Sequence, residues 1–91
     1  MIARQVFYEG RVQGVGFRFT CKQMARGFEV VGWVRNLQDG RVELQCSGDK
    51  EEVDGFLDAI AESELKSHIK GTTVIPLTGL ASPAKGFEIT A

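Results

Sequence analysis

The chain has 91 residues, of which 43% are hydrophobic, and a formal net charge of -1. This length and apolar content suit one globular domain, residues 1–91, near the lower size limit for a core without metal or disulfides. The balanced charge excludes a general positive field for nucleic acid or an anionic membrane, so an anion site must be local. We expect a cytoplasmic protein, since no apolar stretch approaches the ~18 residues of a membrane span and no signal sequence is visible.

The residues that ligate metals or form disulfides are few and scattered. Cys21 and Cys46 lie 25 residues apart without CxxC spacing, which favours free thiols in a reducing compartment over a disulfide. His68 is the only histidine, and a structural role suits it better than a catalytic one. The sequence therefore predicts no metal site and no cofactor.

The first third of the chain predicts a strand followed by a helix. Apolar residues alternate with polar ones from Ile2 to Val12, which is typical of a half-buried strand. After a glycine-rich turn, apolar residues recur at helical spacing, and Arg18, Lys22 and Arg26 follow another face of the same helix. The apolar stripe consists of Phe17, Cys21, Met24, Ala25 and Phe28.

The rest of the chain predicts a hairpin, a second helix and two further strands. Val30–Leu37 and Arg41–Ser47 alternate as strands around Asp39-Gly40, a strong tight-turn signal. Asp49 begins a helix in capping-box register with Glu52. Its apolar stripe is Val53, Phe56, Leu57 and Ile60, and strands are expected at about Ser67–Pro76 and at Phe87–Ile89.

This element order, β-α-β-β-α-β followed by a short strand, predicts an α+β fold of the ferredoxin-like type. The expected architecture is an antiparallel sheet with both helices on one face and a short extra C-terminal strand. The other face is expected to be open to solvent. Trp33 has the opposite parity to Val34 and should lie on or near that open face.

The turn before the first helix, GRVQGVGFR at residues 10–18, has the composition of an anion site. A loop that enters a helix presents unpaired backbone N–H groups at the positive end of the helix dipole. Gly14 and Gly16 allow the backbone to curl around an anion, and the Arg18 guanidinium can contact two phosphate oxygens at once. A purely structural turn is the alternative interpretation of these residues alone.

Common nucleotide signatures fit this turn badly. Phe19 stands where a GxGxxG pattern needs its third glycine, and the Gly-Lys-Ser/Thr ending of a P-loop is absent. Gly16-Phe17-Arg18-Phe19 matches part of an RNA-recognition signature, but that signature belongs on a central strand with its aromatic residues facing RNA. Here Phe17 and Phe19 begin a helix, and we expect both to enter the core. We therefore expect neither a nucleotide nor RNA as the ligand.

Taken together, three segments of the sequence resemble those of the acylphosphatase family. These are the stretch 10–18, Val31-Gly32-Trp33-Val34-Arg35-Asn36 at the usual distance, and Asp39-Gly40-Arg41-Val42-Glu43. Ser67-His68-Ile69 and Phe87-Glu88-Ile89 extend the similarity over nearly all of the chain. The resemblance also implies a ferredoxin-like fold.

The resemblance implies hydrolysis of the carboxyl-phosphate bond of acyl phosphates by a positioned water, without metal or covalent intermediate. Arg18 would bind the phosphate and Asn36 would hold the attacking water. The loop whose amides cradle the phosphate would comprise Val12, Gln13, Gly14, Val15, Gly16, Phe17 and Arg18. A small acyl phosphate would be the substrate, inorganic phosphate would be both product and inhibitor, and the protein would act as a monomer.

Two positions depart from the family pattern. Cys21 replaces a small hydroxyl residue, and Glu29 replaces a glycine that ends the first helix, so we expect altered geometry there. The alternative function is a non-catalytic anion-binding or protein-binding module on the same fold. The same Val-Gln-Gly-Val-Gly-Phe-Arg run also appears in larger hydrogenase-maturation carbamoyltransferases, although 91 residues should leave no room for their partner domains.

Overall fold

The fold was analysed in a computed structural model of the chain, which describes residues 1–91. The strands are β1 (Ile2–Gly10), β2 (Val30–Asn36), β3 (Val42–Gly48), β4 (Ile69–Leu77) and β5 (Phe87–Ile89). The helices are α1 (Phe17–Ala25) and α2 (Lys50–Ala61), and a short 3-10 helix spans Glu64–His68. None of the helices is long and apolar enough to cross a membrane.

The strands form one sheet in the order β4-β1-β3-β2-β5. The first four strands are antiparallel to their neighbours, and the predicted ferredoxin-like arrangement is confirmed. The short C-terminal strand β5 pairs in parallel with β2, so the sheet as a whole is mixed. β4 and β5 therefore lie at opposite edges, and the segment that joins them must cross the sheet.

The core lies between the sheet and the two helices. The predicted helix stripes are buried in it or pack against it, because residues four apart lie on one helix face. The buried cluster comprises Val6, Tyr8, Val12, Phe17, Cys21, Ala25, Val30, Val34, Val42, Leu44, Cys46, Val53, Phe56, Ile60 and Leu65. Gly55 leaves room for Phe28 in this packing, since a Cβ at Gly55 would lie 2.9 Å from the Phe28 ring.

Part of the opposite face of the sheet is covered, where we predicted a surface open to solvent. Segment 78–86 crosses this face, and the amide of Ala81 donates to Gln45 Oε1 at 2.9 Å. Trp33 and Glu43 are both buried, although they belong to the expected solvent face. The expectation was wrong for this part of the face, because local alternation does not show where the connection between β4 and β5 runs.

The buried carboxylate of Glu43 is held by a polar network on this face. It accepts hydrogen bonds from Gln5 Nε2 at 2.6 Å, Arg35 Nε at 2.9 Å and Gln45 Nε2 at 3.2 Å. Burial on its own would raise the pKa of the Glu43 carboxyl, but these hydrogen bonds and the Arg35 charge outweigh burial and lower it. Glu43 is therefore ionised at neutral pH.

Two predicted turns differ in detail from the structure. The β2–β3 hairpin closes through a wider loop, in which the amide of Leu37 donates to the carbonyl of Arg41 and only Gly40 has a positive φ. Asp49 occupies the N-cap of α2 but makes no side-chain cap bond. Glu52, the predicted partner in a capping box, accepts from the amide of Glu29 at 2.7 Å instead.

The departure from the family pattern at Glu29 goes with a different ending of α1. No residue other than glycine has a positive φ, so the left-handed helix end that a glycine would supply is not used here. α1 instead ends at Ala25, followed by tight turns in which Gly27 donates to Met24 and Phe28 donates to Ala25. We expected altered geometry at this end of the helix, and the structure shows it: α1 ends in tight turns and not in a left-handed residue.

Candidate active site

The carboxyl ends of three strands and the start of α1 lie together at one end of the sheet. β1 and β2 are both antiparallel to β3 and so run in the same direction, and β5 runs with β2. The carboxyl ends of these three strands therefore lie at the same end of the sheet, where α1 begins. A cleft of about 190 Å³ opens there, smaller than the pockets that hold drug-sized ligands. It is lined by Val12, Gly14, Gly16, Phe17, Arg18, Phe19, Asn36 and Ile89.

The loop between β1 and α1 is anchored at both ends by the core. Val12 is fully buried, and Phe17 is buried with its ring centroid 4.9 Å from that of Tyr8. Between these anchors, Gly14 and Gly16 are exposed. The loop therefore has a fixed path, with its backbone at the surface of the cleft.

The backbone of this loop has the geometry of an anion nest. Gly14 and Gly16 have φ values of 78° and 77°, in the left-handed region that favours glycine. A Cβ at either position would meet nothing within 4 Å, so there is space for a side chain. Glycine is favoured at both positions because of the backbone conformation alone. No amide N–H from Val12 to Phe19 donates to another group of the protein. Such unpaired donors beside a helix N-terminus suit a phosphate.

Gln13 fixes the loop to the β2–β3 hairpin. Its Nε2 donates to the carbonyl oxygens of Leu37 at 2.7 Å and Arg41 at 2.9 Å. Leu37 directly follows Asn36, so this bridge connects the loop to the residue on the other side of the cleft. Sequence analysis predicted that the backbone amide of Gln13 belongs to the phosphate cradle; its side chain contacts the hairpin and does not line the cleft.

Arg18 lies in the first turn of α1 and lines the cleft. Its guanidinium makes no hydrogen bond or ion pair with the protein, in contrast to that of Arg35, which pairs with Glu43 at 2.8 Å. No other charged residue lines the cleft. An unneutralised, planar guanidinium beside free amides is the electrostatic arrangement that attracts an oxyanion.

Asn36 ends β2 and lines the same cleft. Its Oδ1 is buried and accepts no hydrogen bond within the protein. Buried polar atoms are nearly always paired, so an unpaired acceptor in a cleft suits a ligand or water that donates to it. The structure thus brings Arg18 and Asn36, eighteen residues apart in the chain, to one cleft with the glycine loop.

The other candidate residues lie outside the cleft. Burial raises the pKa of the Cys21 and Cys46 thiols to about 12, so both are protonated and unreactive at neutral pH. Cys21 is fully buried in the core and does not line the cleft. The carbonyl of His68 accepts from the amide of Arg11, a structural contact. No group of three or more His, Cys, Asp or Glu side chains is placed to hold a metal ion.

Two residues that line the cleft were missed by sequence analysis. Phe19 was expected in the core with its neighbours but is exposed, and Ile89 was placed only in a short last strand. The helical stripe that buries Phe17 and Cys21 turns Phe19 away from the core, and this signal was available. No local signal in the sequence predicted the position of Ile89, because that position depends on which strand β5 pairs with.

The fold and cleft define the chain as a ferredoxin-like α+β protein with a glycine-rich loop of free amides between its first strand and first helix. The family profile of the acylphosphatases matches residues 4–89. An acylphosphatase of Bacillus velezensis is 38% identical over 74 residues, which cover 81% of this chain and 82% of that protein. An acylphosphatase of Archaeoglobus fulgidus is also 38% identical over 74 residues, with 81% and 83% covered. The chain belongs to the acylphosphatase family, a family of hydrolases.

Solved structures agree with this assignment. The crystal structure of acylphosphatase from Bacillus subtilis matches with a TM-score of 0.88 at 31% identity, and all of both chains is covered. A phosphate- and nucleotide-bound structure of full-length HypF matches with a TM-score of 0.84 at 25% identity. That match covers 99% of this chain and 12% of HypF, so the same fold also occurs within a much larger protein.

Proposed function

We propose that this protein hydrolyses the carboxyl-phosphate bond of small acyl phosphates and releases a carboxylate and inorganic phosphate. The observation that carries the proposal is the combination in one cleft of an unpaired guanidinium, a run of free amides and a buried unpaired amide oxygen. The names of the relatives and the TM-score of 0.88 to a bacterial acylphosphatase support it.

The phosphoryl group would be bound by Arg18 and by the amides of residues 12–18. Phosphoryl transfer spreads negative charge over three equatorial oxygens, so catalysis depends mainly on positioning and charge stabilisation. A guanidinium binds two of these oxygens at once, and the loop amides can bind the remainder. The fixed path of the loop means that these donors need little rearrangement to meet the substrate.

Asn36 would orient the attacking water. Its Oδ1 can accept a hydrogen bond from the water without placing a negative charge beside the phosphate, as an aspartate would. The water oxygen forms a bond to phosphorus while the bond from phosphorus to the acyl oxygen breaks, and the electron pair leaves with the carboxylate. The proton of the water passes to solvent or to a phosphate oxygen.

This mechanism needs neither a strong acid nor a metal to expel the leaving group. A carboxyl group has a pKa of about 4, so the departing carboxylate is stable at neutral pH without protonation. The residues that line the cleft include no Asp, Glu, His or Lys. The proposed chemistry therefore matches the donors and acceptors that this cleft offers. The two free thiols, together with the substrate class, support a reducing compartment such as the cytoplasm as its location.

Hydrolysis of benzoyl phosphate, followed continuously with the purified protein, tests this proposal. We expect turnover that inorganic phosphate inhibits competitively. If phosphate raises the melting temperature but no acyl phosphate is hydrolysed, the protein is a non-catalytic anion-binding module and the proposal is wrong.

A further inference from the structure

Two of the five large hydrophobic side chains that are exposed in this protein lie at the same cleft. Phe19 is 60% exposed and Ile89 is 40% exposed, and both line the cleft with Arg18 and Asn36. The other three are Met1 at the N-terminus and Val74 and Ile75 on the edge strand β4. An apolar rim beside a phosphate-binding loop is not required for binding phosphate.

The position of Ile89 follows from the pairing of β5. Ile89 is in register with Val34, and Phe87 with Gly32, so their side chains lie on the helix-covered face of the sheet. Phe87 packs into the core, with its ring centroid 5.2 Å from that of Phe56. Ile89, two residues further along, passes beyond the core and reaches the cleft instead. Its apolar side chain belongs neither to the buried core nor to the residues packed against it.

Phe19 follows Arg18 directly at the start of α1. The burial of Phe17 and Cys21 turns Phe19 away from the core and leaves it at the mouth of the cleft. Phe19 also borders a second hollow between α1 and the Ser63–Glu64 turn, which Ile89 does not line. Ile89 is therefore the sharper probe of this rim.

The charge pattern of the lining limits what the rim can bind. Arg18 is the only charged residue of the cleft, and the proposed function uses it for the phosphoryl group. No second charge remains in the lining for an ionic group on the acyl part of a substrate. Burying apolar surface between two exposed apolar side chains is favourable, and an aromatic acyl group offers more such surface than an acetyl group.

We infer that Phe19 and Ile89 form the acyl-binding rim of this site and favour acyl phosphates with an apolar, especially aromatic, acyl group. The inference rests on the proposed function, because it concerns the part of the substrate that leaves as the carboxylate. The natural reactions of this protein would therefore be ones that remove activated apolar carboxylic acids.

The ratio of kcat/KM for benzoyl phosphate to that for acetyl phosphate tests the inference. Ile89→Thr and Phe19→Gln should each lower this ratio about 5-fold, since loss of small apolar contacts in a binding site costs factors of this order or more. The intrinsic reactivities of the two substrates cancel when variant and wild-type ratios are compared. Ile75→Thr is the matched control, because Ile75 is 38% exposed on β4, away from the cleft, and should leave the ratio unchanged.

A measurement on the wild-type protein covers the case in which a variant does not fold. Benzylphosphonate should inhibit acetyl phosphate hydrolysis at a lower concentration than methylphosphonate does. Equal inhibition by the two phosphonates, or an equal loss of kcat/KM for both substrates in the Ile89 and Phe19 variants, would overturn the inference. A wild-type protein that hydrolyses neither acyl phosphate would refute the proposed function itself.

Discussion

Gln13 reaches across from the glycine loop and donates from Nε2 to the carbonyl oxygen of Leu37 at 2.7 Å. The two residues belong to different segments, the β1–α1 loop and the β2–β3 hairpin. Their contact fixes the distance between the free loop amides and Asn36, the residue before Leu37. The proposed site therefore consists of two parts joined by one side chain that does not line the cleft.

Gln13→Ala should lower both stability and activity. It removes two hydrogen bonds, which together contribute about 1 to 2 kcal/mol, and should lower the melting temperature by roughly 5 to 10 °C. We expect kcat to fall more than KM rises, because phosphate can still bind the loop while Asn36 is displaced from it. Gln23→Ala is the control, since this glutamine on α1 makes no side-chain hydrogen bond. A parallel loss in both variants would argue against the bridge.

Arg18→Lys and Arg18→Ala should both abolish nearly all turnover of benzoyl phosphate. A lysine keeps the charge but cannot bind two phosphate oxygens in the plane of a guanidinium, so we expect losses of about 10²-fold or more. Arg26→Lys is the matched control, because Arg26 lies two turns along the same helix region and makes no ion pair. Steady-state kinetics with a thermal melt of each variant measures the effect. An Arg18→Lys variant with wild-type kcat/KM would contradict the assigned role.

Asn36→Ala should reduce kcat by about 10²-fold and leave KM within a few-fold of wild type. The side chain is proposed to act on the water and not on the phosphate, so binding is kept while the attack is slowed. Asn36→Asp should in addition raise KM, because a carboxylate would repel the phosphoryl group. Gln38→Ala, an exposed amide two residues on, provides the control. If KM rises and kcat is unchanged in Asn36→Ala, the residue binds substrate instead.

Glu43→Gln should destabilise the fold by about 2 kcal/mol without affecting the cleft. The buried carboxylate accepts bonds from Gln5, Arg35 and Gln45, and an amide cannot accept all three. Because folding lowers the pKa of Glu43 below its ordinary 4.5, its contribution is full above that value. The contribution is lost as the pH falls through the lower, folded-state pKa.

Denaturant unfolding at pH 7 and at about pH 3 measures this linkage. The difference in unfolding free energy between wild type and Glu43→Gln should shrink at the lower pH. The exposed Glu88→Gln, on the same face of the sheet, should show no such change. An equal difference at both pH values would mean that the Glu43 charge does not contribute.

Cys21 and Cys46 should resist thiol reagents in the folded protein. Both thiols are buried and have a pKa raised to about 12, so almost no thiolate is present at pH 8. Labelling with a disulfide reagent should be slow in buffer and fast in denaturant, and it should yield two modified cysteines per chain. Rapid labelling of the native protein would show that the core opens readily.

The sequence by itself determined the order of the elements, the helix stripes and the composition of the glycine-rich loop before α1. These features are local: alternation, helical periodicity and glycines at positive φ all act over a few residues. Gly14, Gly16 and Arg18 could be identified because turn, helix start and guanidinium occur within one short stretch. The resemblance to a family then added Asn36, which local pattern alone would describe as a turn residue.

Only the tertiary structure decided which distant residues share a surface. The path of segment 78–86 buries Trp33 and Glu43, and the parallel pairing of β5 with β2 brings Ile89 to the cleft. Likewise, Glu52 accepts a hydrogen bond from the amide of Glu29 and does not form the predicted capping box with Asp49. Each depends on contacts between segments far apart in the chain, whose free energy comes from packing and hydrogen bonding that no local pattern contains.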